Sequence, residues 1–171
     1  FQRLYTTNQA IESIYNNQVV PLKQMADIIS DYIDGVLVPI EQAAAQKMSA
    51  ADATKAMVDG QTKAHTHWQA YMQTELFAEE KSIVAKAEPL VRQSTPIITQ
   101  LIEQMRAGQV DTALKKKKKA LQPLMTPLLA ELENIANVQL VNARTAAEAS
   151  HSAMQTLMWI MAFTVVAVFG V

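Results

Sequence analysis

Five consecutive lysines, Lys115–Lys119, are the most chemically distinctive feature of this 171-residue chain. At about 100° per residue a helix sends such a run to every azimuth, so at least one ammonium must face a neighbouring helix. The run lies near the start of a predicted helix. That is the unfavourable end for cations, but ammonium groups beside free N–H groups attract anions. Two readings follow: a solvated basic collar, or a cluster that binds a carboxylate. In the second reading Lys115, Lys118 and Gln122 share one face and form half of a ligand site. Asp27, Asp31 and Asp34 fall on one face of the first predicted helix at a matching height, interleaved with Tyr32 and Gly35. The aspartates either face solvent, pair with the lysines, or hold a ligand's ammonium group. Tyr32 stacks on a ring, donates a hydrogen bond or packs in the core. Gly35, inside an apolar run, marks flexibility or the close approach of another backbone. Asp31, Tyr32, Asp34 and Gly35 are therefore the other half of the candidate site.

Other chemistries find no support. His65 and His67 are two residues apart, about 200° on a helix, and cannot share one metal ion within a chain. With three histidines and no cysteine, neither a nucleophilic triad nor a thiolate metal site is arguable, and no inward carboxylate pair suits hydrolysis. Four glycines and no GxGxxG or GxxxxGK[ST] leave no phosphate-cradling loop. The expectation is a protein without catalytic residues, metal or cofactor. A net charge of −1 also argues against a generic nucleic-acid surface.

The elements that position these residues are all helical. In the first segment, Phe1 to about Gln46, Ile11, Ile14, Gln18, Leu22, Met25, Ile29, Tyr32, Val36 and Ile40 step by three and four. Pro21 and Pro39 are expected to kink this helix without ending it. Ser49 and Asp52 resemble a capping box that starts a second helix, from about Ala50 to Leu76. Its stripe is Ala53, Met57, Gly60, Ala64, His67 and Tyr71, with Trp68 beside it, small enough for a close neighbour. A third helix starts near Ala78, with Glu79 and Glu80 in its first turn, and stops at Arg106–Gly108. Its stripe is Ile83, Ala87, Leu90, Ser94, Ile97, Leu101 and Met105. A fourth, with Asp111 as N-cap, carries Leu121, Leu124, Leu128, Leu132, Ile135, Val138 and Asn142 without a break toward the terminus. The simplest arrangement is an up-down-up-down antiparallel four-helix bundle.

The terminus sets the compartment. Residues 156–171, TLMWIMAFTVVAVFGV, contain no charge and rise about 24 Å as a helix, with Trp159 placed as an interfacial anchor. The division expected is a helical domain over 1–155 and the start of a transmembrane helix over 156–171, continuous with the fourth helix. FQRLYTTNQAIESIYNN opens without a cap or turn signal and reads as cut from a longer helix. A first span would precede it, and the bundle would stand upright on the membrane with the turns near Met48 and Gly108 at its far tip.

With this architecture on the page, the chain resembles the periplasmic sensor domain of bacterial methyl-accepting chemotaxis receptors of the four-helix-bundle class. The resemblance is carried by IYNNQVVPLKQM (Ile14 to Met25), HWQAYMQTEL (His67 to Leu76) and EEK (Glu79 to Lys81), and covers essentially the whole chain. It implies a homodimer in the bacterial inner membrane with the domain in the periplasm. It also implies a ligand near the dimer interface, held by the first helix and the first turns of the fourth. Signalling would pass through a small axial displacement of the membrane-entering helix. The arginines that the aspartate-sensing branch carries on its first helix are missing from SDYIDGVLVPI (Ser30 to Ile40). Candidate ligands are organic acids, including aromatic carboxylates, and then amino acids. The competing functions are a ligand-free stalk or partner-docking bundle, and a sensor attached to a histidine kinase or cyclase.

Overall fold

The computed structural model describes Tyr15 and residues 19–149, and the expectations that fall on residues 1–14, 16–18 and 150–171 lie outside it, the apolar terminus included. Helix α1 comprises Val20–Tyr32, a π-helical turn Ile33–Leu37 and Val38–Ala44; α2 is Ala50–Met72; α3 is Ala78–Arg106. Helix α4 comprises Val110–Lys116, a π-helical turn Lys117–Leu121 and Gln122–Ala149. Each packs on its chain neighbours and α4 closes the ring against α1, which is a four-helix bundle.

The ends form as local chemistry dictates. Ser49 caps α2, its hydroxyl accepting the Asp52 N–H at 3.0 Å. Gly108, at φ 71°, ends α3 in the left-handed conformation, and Gln109 N–H reaches back to the Gln104 carbonyl at 2.8 Å. Gln46 does the same after α1 at φ 56°, with Lys47 N–H on the Gln42 carbonyl at 2.8 Å. One expected boundary moves. The N-cap of α4 is Gln109, whose carbonyl accepts the Ala113 N–H at 3.0 Å. Asp111 lies inside the first turn, where its charge still suits the positive helix end.

The π turns Ile33–Leu37 and Lys117–Leu121 each stop two residues before a proline, Pro39 in α1 and Pro123 in α4. A proline donates no N–H to the carbonyl four residues back and its ring crowds that carbonyl. A wider turn, in which Val38 N–H bonds the Ile33 carbonyl and Gln122 N–H the Lys117 carbonyl, relieves both problems. Pro89, Pro96 and Pro127 sit within helices without such a turn, so a proline alone does not dictate one.

The stripe predicted for α1 is buried from Leu22 to Ile40, and that of α2 throughout except His67, which is half-buried. On α3 and α4 the inward line is set partly one residue further on. Val84, Val91 and Ile98 are more buried than Ile83, Leu90 and Ile97; Met125, Gln139 and Ala143 more than Leu124, Val138 and Asn142. On α4 that line includes a polar residue, Gln139, which apolar spacing does not select.

Candidate functional site

The aspartate half forms where α1 crosses α2. Gly35, in the π turn, meets Gly60 backbone to backbone; a Cβ on either would lie 2.6 Å from the other's Cα. That contact is the close approach Gly35 left open as one of its two readings. It sets Asp31 against α2, where its Oδ2 lies 2.7 Å from His67 Nδ1, the side chains 13% and 33% exposed. Burial holds the Asp31 carboxyl above its ordinary value of 3.8, and the hydrogen bond and charge of His67 offset only part of this. One turn on, Asp34 accepts the Ser30 hydroxyl at 2.9 Å. Lys63 pairs with Asp59 at 2.7 Å. Ser30, Asp31, Asp34 and Gly35 with Asp59 and Lys63 line a polar cavity of about 290 Å³. Asp27 stands apart, paired along α1 with Lys23 at 2.5 Å.

Tyr32 is not brought to that cavity. It points into the core beside the Ser94 hydroxyl, and burial pushes its phenol up to about 12. It borders a separate space of about 320 Å³ between α2 and α3.

The lysine run divides by azimuth. Lys117 is the one turned inward, its side chain 4% exposed and bonded to Glu41 at the end of α1. Lys116 donates to Gln100 of α3. Lys115, Lys118 and Gln122 lie on the solvent side, where Gln122 makes only a long contact to the Thr126 hydroxyl at 3.4 Å. None of the three lines the aspartate cavity. Within one chain the two halves of the candidate site therefore stay separate.

Two features had no counterpart in the sequence reading. A larger space, about 980 Å³, is an open groove between α2 and α3 bordered by His65, Trp68, Gln69, Glu88, Arg92 and Thr95. His65 faces α3 and His67 faces α1, as residues two apart on a helix must. Trp68 and Tyr71 are core residues, with ring centroids 5.9 Å apart. The second feature is Glu80, read from sequence as a first-turn acid but fully buried here. Its carboxylate accepts the Tyr71 hydroxyl at 2.7 Å and the Phe77 N–H at 2.8 Å, and is also bonded by the Gln139 amide of α4. Burial, and next the Glu80 carboxylate, push the Tyr71 phenol far above its usual range. The spacing of Phe77 and Glu80, an N-cap and its third residue, was the available signal for half of this cluster. Among the described residues no group of three or more His, Asp or Glu is arranged to hold a metal ion, and no helix is long and apolar enough to cross a membrane.

A family described as "Four helix bundle sensory module for signal transduction" matches residues 1–154. No curated protein and no solved structure matches the chain.

Proposed function

The chain belongs to the four-helix-bundle sensory modules of methyl-accepting chemotaxis proteins, and from that premise we propose that it is an extracytoplasmic receptor domain for a small organic acid. The ligand binds near the interface of a homodimer in the inner membrane, and the signal leaves through α4 and the transmembrane helix that follows it. The observation that carries this reading is the separation of complementary half-sites. Lys115 and Lys118 present exposed ammonium groups and Gln122 an exposed amide on the outside of α4. The carboxylates of Asp31 and Asp34 line a cavity that α4 of the same chain does not reach. A second copy that brings its α4 to this face completes a site for a carboxylate, with the second carboxylate oxygens of Asp31 and Asp34 left to hold an ammonium group where the ligand has one. Sharing a ligand between two chains also couples occupancy to their relative arrangement, which is all that a shift between two helix positions requires.

Titration calorimetry of the membrane-embedded receptor against benzoate, malate, citrate and aspartate tests this. Heat of binding with one of them, lost in Lys115→Ala/Lys118→Ala, is the expected result. Silence across the panel would favour a bundle that docks a partner protein without a small ligand.

A further inference from the structure

Glu80 is the only fully buried carboxylate among the described residues, and no cation neutralises it. Two of its three donors belong to the α2–α3 hairpin: the Tyr71 hydroxyl and the Phe77 N–H. They fix the carboxylate to that hairpin whatever α4 does. The third donor, the Gln139 amide nitrogen, arrives from α4, 59 residues along the chain. The same amide's oxygen is buried without a hydrogen-bond partner. In this position of α4 the Gln139 amide makes a charge-assisted bond to the buried carboxylate, the one side-chain hydrogen bond between the hairpin turn and α4 among the described residues.

The packing around Gln139 fits that role. Its neighbours on the inward line are Ile135, Ala136 and Ala143, all buried, whereas earlier in α4 the core is filled by Leu121, Met125, Leu128 and Leu132. Interdigitated Leu and Met side chains resist sliding through their shape; alanines resist it little. Past Ile135 the buried apolar side chains of α4 are small, and the polar bond adds a directional contact there to the packing of the earlier turns. Hydrogen bonds tolerate only a few tenths of an ångström, less than the rise of one residue, about 1.5 Å.

We propose that Glu80 and Gln139 form a register detent: a polar contact between the hairpin turn and α4 that sets the resting axial position of the signalling helix and breaks when it moves. This rests on the reading of α4 as the element that carries the signal, but needs no ligand and no dimer. Glu80 and Gln139 are positioning residues in it.

The test uses nitroxide labels on the ligand-free receptor in membranes, at exposed Ser82 of α3 paired with exposed Asn134 or Thr145 of α4, so that sliding shortens one distance while lengthening the other. Gln139→Leu removes only the α4 side of the contact and leaves Glu80 its two hairpin donors. The expected result is a new population in which the two distances change in opposite directions by about one residue's rise, ~1.5 Å. The exchanged pair Glu80→Gln/Gln139→Glu should restore the original distances, because it restores a carboxylate–amide bond. Unchanged distances in Gln139→Leu, or equal broadening of both, would overturn the proposal. A silent calorimetry panel would leave these distances untouched, so the two failures are distinguishable.

Discussion

Gly35 and Gly60 occupy each other's side-chain space: a Cβ built on Gly60 would lie 2.6 Å from the Gly35 Cα, 2.7 Å from its carbonyl carbon and 3.0 Å from the Asp31 carbonyl oxygen. All of these are backbone atoms, which cannot rotate away. Gly60→Ala must therefore push α1 off α2, at a cost of about 1–3 kcal/mol. The substitution should also pull His67 away from Asp31. Urea unfolding of both glycine-to-alanine variants checks this; an unchanged midpoint would contradict the crossing geometry.

Lys117 and Glu41 are unequal partners, the lysine side chain 4% exposed and the glutamate 61%. Removing Glu41 leaves a buried ammonium without its acceptor. Glu41→Ala should cost about 1–2 kcal/mol, far more than an ordinary surface truncation and less than breaking a fully buried pair. Adding Lys117→Met to that variant should recover most of the loss, because the charge goes and the volume stays. Lys115→Ala and Lys118→Ala should stay within about 0.5 kcal/mol of the parent. Thermal melts of the four variants separate the inward lysine from the outward ones.

Asp31 gives a pH signature with a definite sign. Its folded-state carboxyl binds a proton more tightly than the ordinary value of 3.8, chiefly because it is buried. That contribution to stability is complete below pH 3.8 and is lost as pH rises through the folded-state value. Asp31→Asn lacks it at every pH. Paired melts from about pH 3.5 to pH 6 should show the difference moving in favour of the variant as pH rises. A constant difference would show that His67 cancels the burial, and one moving the other way that it outweighs it.

Ser49 holds the first turn of α2 through its hydroxyl, which accepts the Asp52 N–H at 3.0 Å. Ser49→Ala should lower stability by about 1 kcal/mol, and Ser49→Asp should recover most of it. Hydrogen exchange at Asp52 and Ala53 is the local readout. Exchange that stays as slow as in the parent would mean the cap contributes nothing.

Much of this bundle was legible before any coordinates. Apolar spacing is read by the same 3.6-residue period that places side chains on a helix, so all four helices and the lines through Met25, Tyr32 and Ile40 followed from it. The cap at Ser49 and the stop at Gly108 were legible because their chemistry is local. That one of five lysines must turn inward followed from helix geometry alone. Which one did not: the π turns ahead of Pro39 and Pro123 rotate everything beyond them, and Lys117 is inward because Glu41 of another helix is there to receive it. Gln46 adopts the left-handed conformation at the end of α1 with no glycine to announce it. Glu80 looked like a first-turn acid because its own neighbours explain that much. Its burial depends on Tyr71 and on Gln139, whose polarity argued against an inward position. Local propensity and period belong to the chain; whether a polar side chain lies inside depends on a partner far away in sequence, and only the packed helices supply it.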